Sequence, residues 1–309
     1  EMLFRGIYLA NLNEVPLLDE ESHQKIYASF SLLSMLTPPG PLYPSLGDNG
    51  GPLADPILQL GIKMLSHPMC TELERARMLQ KDADPEILPR DFCSTKAGFL
   101  CSRSSYRHDG NYILMSAKTG CGCSGHNHMD LLSLFLTFRG QAFIGEPYTD
   151  KLYHSIRMNS ELRGYMYNMT SHNTVLAHGE PVLPDCVYAN KWGVYRPDTP
   201  VTEYWTDPKG IYVKAHHDAY TYCRHTRRIL FPRTRGLIIR DEMERGNRRE
   251  KPHIQRWHLE PGTVCRILND YSVLMEKNGV SLLWIWTDCC DIRLWKNTSL
   301  CPEIYGSED

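Results

Sequence analysis

From about Asp91 to Trp286 the chain is a succession of short apolar or alternating runs separated by turn residues, with no helix-length periodic segment between them. The runs are Phe99–Arg103, Tyr112–Lys118, Leu131–Arg139, Ala142–Gly145, Thr174–His178, Val201–Trp205, Ile211–His216, Thr226–Phe231, Arg235–Asp241, His253–Leu259, Ser272–Glu276 and Ser281–Trp286. Strands this short pair through tight connections, and Arg139-Gly140-Gln141 reads as one such hairpin. More than ten of them without intervening helices indicate an antiparallel β-sandwich.

Residues 1 to about 90 have a different texture. Residues 2–12 are apolar at most helix-spaced positions and read as a buried helix that Pro16 stops. Asp19 and Ser22 are N-cap candidates for a second helix, in which Ile26, Phe30, Leu33 and Leu36 recur until Pro38-Pro39-Gly40 breaks the pattern. After a Gly-rich loop, Asp55-Pro56 reads as N-cap and first-turn proline of a third helix running to about Ser66, and Thr71–Gln80 forms a fourth. The expected organisation is α+β: helical hairpins over residues 1–90 and an antiparallel sandwich over 91–309.

The totals exclude some partners. The 34 Lys and Arg residues nearly balance 36 Asp and Glu, a net charge of -2, so no global field draws the chain to nucleic acid or a membrane surface. No apolar run approaches the roughly 20 residues of a membrane span, and a soluble chain is expected. The 11 cysteines are an odd count, and Cys121-Gly-Cys123 and Cys289-Cys290 are too close for ordinary pairing. Free thiols and a reducing cytoplasm are favoured, with a bacterial cell envelope or periplasm as the alternative. Cys121 and Cys123 read either as small turn residues or as soft metal ligands.

The best candidate for a chemical centre lies within about fifty residues: Gly125-His126-Asn127-His128-Met129-Asp130, Gly145-Glu146-Pro147 and Ser171-His172-Asn173-Thr174-Val175. If His126 to Asp130 is extended, alternation puts His126, His128 and Asp130 on one face, which continues as Leu132, Leu134, Leu136 and Phe138. The histidines then sit at the polar end of a buried strand. Two histidines and a carboxylate are a common zinc set, and Glu146 and His172 are the nearest further residues of the right types. The structural alternatives are satisfied core histidines and a solvated loop acid.

These segments resemble the central block of the heparinase II/III-type polysaccharide lyases: Gly-His-Asn-His-Met-Asp-Leu-Leu-Ser, Ile-Gly-Glu-Pro, Arg163-Gly-Tyr165 and Ser-His-Asn-Thr-Val. Pro38 to Asp48 upstream is similar to the loop that leaves the family's last toroid helices. Downstream, His217 to Tyr220, His225 to Arg228 and Trp257-His258-Leu259-Glu260-Pro261 are similar to its sandwich strands. The resemblance implies the C-terminal helices of an (α/α) toroid over residues 1–90, joined to the sandwich. It implies an acidic polysaccharide as partner, cleaved by β-elimination, and zinc as cofactor, with a homodimer among the expected assemblies.

Position by position, it makes His126 the catalytic histidine and His128, Glu146 and His172 the zinc ligands, with Glu146 where the family usually has Asp and Tyr148 in place of a turn glycine. Removing the proton α to a uronate carboxylate builds enediolate-like charge, so the site must neutralise the carboxylate, supply a base and protonate the leaving oxygen. Tyr165 is the phenol taken as catalytic candidate, and Arg163 and Tyr167 are the substrate-binding candidates. The family's own tyrosine and carboxylate-gripping residue come from toroid helices upstream of the matched region, so the catalytic set here is expected to be incomplete. Tyr8 reads as core, His216, His217 and His258 as hydrogen-bonded structural residues, and Arg224, Arg227, Arg228, Arg233, Arg235, Arg248 and Arg249 as either an anionic groove or a solvated sheet face. Two functions compete: a lyase acting on a uronate glycan of heparin, heparan sulfate or alginate type, and a non-catalytic glycan-binding or structural module. A zinc hydrolase lacks the helical H-E-x-x-H that would support it.

Overall fold

The computed structural model describes residues 2–39, 54–96, 98–117, 128–146, 165, 168–182, 199–220, 222–234, 236–245, 252–288 and 290–294. Four helices come first: α1 (Met2–Leu12), α2 (Glu20–Leu36), α3 (Ala54–Met64) and α4 (Pro68–Met78). A five-stranded antiparallel meander follows, β1 (Asp91–Ser94), β2 (Phe99–Arg103), β3 (Tyr112–Ser116), β4 (Leu134–Phe138) and β5 (Gln141–Ile144). A short ladder pairs β6 (Val175–Leu176) with the later β11 (Ile254–Gln255). The second large sheet runs β10-β9-β8-β7, from β7 (Val201–Asp207), β8 (Gly210–Tyr220), β9 (Cys223–Phe231) and β10 (Ile238–Arg245). A third is β12 (Val264–Asn269), β13 (Ser272–Lys277) and β14 (Val280–Ile285).

The layers explain the sequence texture. Cys101, Tyr112, Leu114 and Phe135 share one core with helix residues such as Phe30, Leu58 and Leu73. The alternate residues Leu100, Ile113, Met115 and Leu134 share another with Val213, Ile229, Phe231 and Met275 of the other sheets. The meander is therefore a middle layer buried on both faces, and β3 is apolar or buried throughout where a half-exposed strand would alternate. The expected hairpin at Arg139-Gly140 is present: both residues have positive φ, 47° and 74°, the combination a two-residue turn needs to follow strand twist.

The helix ends are set by local chemistry. Asp19 caps α2, its carboxylate accepting from Ser22 N at 2.8 Å, and Glu20 and Glu21 lie in the first turn. At the other end Arg103 from β2 donates to Ser34 O, Met35 O and Thr37 O at 3.0, 2.6 and 2.7 Å, beneath the rings of Tyr106 and Tyr112. A buried guanidinium thus satisfies the orphan carbonyls and negative end of α2 and docks the helices on the sheet. α3 begins at Ala54, so Asp55-Pro56 lies within its first turn and not before it. α4 starts earlier than expected because His67 caps it, Nδ1 accepting from Met69 N, and Pro68 occupies N1. α1 is only half buried: Phe4 and Ile7 are in the core while Tyr8, read as core, is 39% exposed.

Several strand expectations change: Thr174–His178 shortens to β6 with a 3-10 turn over Ala177–Gly179, and His253–Leu259 shortens to β11. β1 and β12 were not anticipated, because Asp91-Phe-Cys-Ser and Val264-Cys-Arg-Ile-Leu-Asn mix polar and apolar residues without clean alternation. The run from Leu131 becomes strand only at Leu134, because Leu132 takes a left-handed backbone with φ 57° that ends the ladder. Among the described residues no helix is long and apolar enough to cross a membrane, and Cys70, Cys93, Cys101, Cys223, Cys265 and Cys290 are free thiols.

Candidate active site

The three sequence-selected metal candidates lie at the same end of the sandwich and are buried, His128 at 1%, Glu146 at 8% and His172 at 2% exposure. His128 and Asp130 sit on the irregular strap ahead of β4, so strand alternation does not place them; the Leu132 turn does. Glu146 follows β5 directly, and His172 closes the short 3-10 turn Met169–Ser171. Glu146 Oε2 and His172 Nδ1 are in hydrogen-bond contact, and the His128 ring lies against that of His172 with centroids 5.4 Å apart. His172 Nε2 is buried without a hydrogen-bond partner. Buried imidazole and carboxylate donors fit zinc in type and burial. As they stand, Glu146 and His172 form a hydrogen-bonded pair, and among the described residues no three His, Cys, Asp or Glu side chains are close enough together to hold a metal ion.

Asn173, which sequence reasoning passed over, holds this arrangement. Fully buried, it uses every polar atom. Its N donates to Ser133 Oγ at 2.8 Å, and Nδ2 donates to Gly145 O at 2.5 Å and Glu146 Oε1 at 3.2 Å. Its Oδ1 accepts from His258 N at 2.6 Å and its carbonyl from Arg227 at 2.8 Å. Ser133 Oγ in turn donates to Glu146 Oε1. One face of the Glu146 carboxylate is thus fixed by two donors and the other meets His172.

Behind Asn173 lies a buried network of charged and imidazole groups on the inward face of β8, β9 and β10. Arg227 pairs with both Asp241 oxygens, Nε to Oδ1 at 2.8 Å and Nη2 to Oδ2 at 2.9 Å, and its Nη1 donates to Leu132 O at 2.6 Å as well as to Asn173 O. The guanidinium therefore ties the left-handed Leu132 turn to the His172 loop. His225 Nε2 meets Asp241 Oδ1 at 2.8 Å, and its Nδ1 lies 3.2 Å from His217 Nε2. Burial works to raise the Asp241 carboxyl, but Arg227 and His225 outweigh it and hold it below the ordinary range. Burial pushes His217 well below its ordinary value, and the neighbouring His225 and Arg227 add to this.

On the open side, half-buried Arg256 donates Nη1 to Thr170 O at 3.2 Å, and His258 Nε2 reaches the same carbonyl at 3.1 Å. Burial lowers the Arg256 guanidinium, and the Tyr165 phenol opposes that; the Tyr165 carbonyl accepts from Asn168 N at 3.0 Å, just ahead of the Met169–Ser171 turn. His258 is pushed down to about 4 by burial, then by the nearby His172 and Arg256. Glu260 is pushed up to about 7 by burial, with Lys277 lowering and Glu146 raising it. Its carboxylate fits beneath Gly145 only because that residue lacks a side chain; a Cβ there would lie 1.9 Å from Glu260 Oε1. His126, Arg163 and Tyr167 lie outside the described residues.

Signals for the missed residues existed. Alternation along β9 puts Arg227 on the same face as Ile229 and Phe231, and a cation at an inward position implies a buried partner. The arginine cluster accordingly splits: Arg227 and Arg233 are buried in ion pairs, while Arg224 and Arg228 face outward.

Solved structures with this fold include the heparan sulfate lyase HepC from Pedobacter heparinus, at TM-score 0.63 and 15% identity, with 88% of this chain and 42% of that chain covered. A heparinase III matches at TM-score 0.60 and 13% identity, covering 88% of this chain and 44% of the other. The chain thus spans less than half the length of these structures, and at such identity the likeness shows the fold alone. No curated protein sequence matches at a significant level. The profile of the heparinase II/III-like, C-terminal family matches residues 96–294, which take in the sandwich strands from β2 onward and His128, Glu146, His172 and Asn173, and the chain belongs to that family.

Proposed function

We propose that this chain supplies the sandwich side of a polysaccharide lyase cleft that cleaves a uronate-containing acidic glycan by β-elimination. The observation that carries the reading is the buried Glu146–His172 pair with His128 against it, fastened by Asn173 and with Arg256 held on the Thr170 carbonyl beside it. Helices over residues 1–90 belong, in this reading, to an (α/α) toroid forming the other wall.

The chemistry divides among this chain's residues. A cation must neutralise the uronate carboxylate so that its α proton becomes acidic, and Arg256 joins Arg163 for that task. His126 and Tyr165 exchange protons with the sugar carbon and the leaving oxygen, and Tyr167 lines the sugar's path. His128, Glu146 and His172 are the residues that would hold zinc, whose charge would fix the sandwich side of the cleft. Ser133 and Asn173 orient Glu146 for that role, as second donors to a ligating carboxylate do.

A non-catalytic glycan-binding module is the second reading, and one observation favours it. Glu146 is already satisfied by Ser133, Asn173 and His172 together, as a structural carboxylate would be. Incubation of the full-length protein with heparin, heparan sulfate, alginate or hyaluronan, following ultraviolet absorbance of the unsaturated product, separates the two. A rise in absorbance supports the lyase, and its absence on every uronate glycan sinks it. Metal analysis should find about one zinc per chain, lost in His128→Ala; an intact, metal-free protein at neutral pH would remove zinc from the account.

A further inference from the structure

We infer that the outer face of the β10-β9-β8-β7 sheet is a second binding surface for an acidic polysaccharide, on the opposite side of that sheet from Arg227. Alternation separates the two faces: Val213, Ala215, Ile229 and Phe231 point into the core, so Tyr212, Lys214, Arg228 and Leu230 point out. The strand registers then line the outward residues into two neighbouring rows across four strands. One row is apolar, Trp205 opposite Tyr212, Tyr212 opposite Leu230 and Leu230 opposite Ile238. The next is polar, Glu203 opposite Lys214, Lys214 opposite Arg228 and Arg228 opposite Arg240.

The apolar row is open at both ends and partly covered at Tyr212 and Leu230. Trp205 is 47% and Ile238 59% exposed, and the Trp205 and Tyr212 rings stack nearly parallel, 18° apart with centroids at 6.0 Å. That makes a flat aromatic shelf on an edge strand. Pyranose rings present apolar C–H faces that settle on such a shelf, while their carboxylate and sulfate groups project from the ring edges. The second row supplies the matching charge. Lys214 pairs with Glu203 at 2.6 Å, whereas Arg228 and Arg240 share the one carboxylate of Glu242, which leaves positive charge in excess beside the shelf. With strands about 4.8 Å apart, the rows run for roughly 15 Å across the four strands, long enough for several sugars.

Both rows fit a chain that is apolar on its faces and anionic along its edges, which a protein partner or neutral glycan would not use in full. The choice of an acidic glycan rests on the lyase reading; the surface itself does not. Its role would be to hold a long polymer while a distant segment occupies the cleft, raising the local concentration there.

The test measures binding of hyaluronan and heparan sulfate polymer to the full-length protein, as wild type, Trp205→Ala, Arg228→Gln with Arg240→Gln, and His172→Ala, together with turnover of a short oligosaccharide. Trp205→Ala should weaken polymer binding about tenfold, and the double arginine variant should lower both affinity and its salt dependence. Short-substrate turnover should be unchanged in both. His172→Ala should keep polymer binding. If polymer binding is lost in Trp205→Ala while no variant or wild type turns over any glycan, the surface stands and the lyase reading falls. Equal binding by wild type and Trp205→Ala overturns the surface, as does no polymer binding by wild type, or a change of oligomeric state without loss of glycan affinity.

Discussion

Two buried Arg–Asp pairs, nearly identical in chemistry, do different work at the two ends of one sheet. Arg233 grips both oxygens of Asp91 at 2.6 and 2.7 Å and also meets Ser102, Thr206 and the Asp207 carbonyl. These lie in β1, β2 and β7, and Arg233 Nε adds the carbonyl of Pro208 in the turn after β7 at 3.3 Å, so the pair fastens the meander to the second sheet. Arg227 also grips both oxygens of Asp241, at 2.8 and 2.9 Å, but its remaining donor goes to the carbonyls of Leu132 and Asn173, both in irregular backbone beside His172 and Glu146. Both are two-pronged, Arg227 through Nε and Nη2 and Arg233 through Nη1 and Nη2; what the spare donors hold decides whether each serves the scaffold or the site.

The largest expected effects come from breaking each pair. Arg227→Met and Arg233→Met both strand a buried carboxylate, and each should cost about 3–5 kcal/mol in urea unfolding. Compared at a temperature where both variants remain folded, only Arg227→Met should lose glycan turnover, because only it frees the Leu132 turn and Asn173. Equal loss in both would erase the distinction.

Asn173→Asp is a finer cut. It keeps the shape but replaces the Nδ2 donor with a carboxylate facing Gly145 O and Glu146, leaving buried acceptors unpaired at a cost of about 1–3 kcal/mol. Turnover should fall further than stability alone explains, and Ser133→Ala should fall in the same direction by less. Wild-type turnover in Asn173→Asp would remove Asn173 from the positioning network.

Acid should separate the two clusters with a smaller signal. His217 and His225 have folded pKa values below the ordinary one, His217 through burial and its cationic neighbours and His225 through burial against the pull of Asp241. The unfolded chain therefore binds their protons first, so their stabilisation is present above about pH 6.5 and is lost as pH falls below it. Asp91 is also held low: burial raises it, but its bonds to Arg233, Ser102 and Thr206 prevail. A carboxylate of that kind gives up its contribution only below about pH 4. Thermal midpoints should drop between pH 7.5 and 5.5, and His217→Gln should flatten that window. An unchanged profile in the variant would place the titration elsewhere.

Much of this was legible in the sequence. Helices α1 and α2 and most strands followed from periodicity, because each buries one defined face and carries local stop signals such as Pro16 and Pro38. His128, Glu146 and His172 were legible as residue types near strand ends, and they do share one buried corner. What alternation could not give was the strap from His128 to Ser133. Its course depends on a left-handed Leu132 held by Arg227 from a strand 95 positions later, a tertiary constraint with no local mark. Asn173 was hidden for a similar reason. Its role lies in five partners from four segments, and in the sequence it stands only as a member of the Ser171-His172-Asn173-Thr174-Val175 run.

The central claim is that the corner built around His172 and Glu146 belongs to a glycan-cleaving site, and turnover of uronate glycans by wild type and His172→Ala full-length protein tests it most directly. The account predicts that wild type generates the ultraviolet-absorbing unsaturated product on at least one of heparin, heparan sulfate, alginate and hyaluronan, and that folded His172→Ala generates none. Unsaturated product from His172→Ala at the wild-type rate would contradict it.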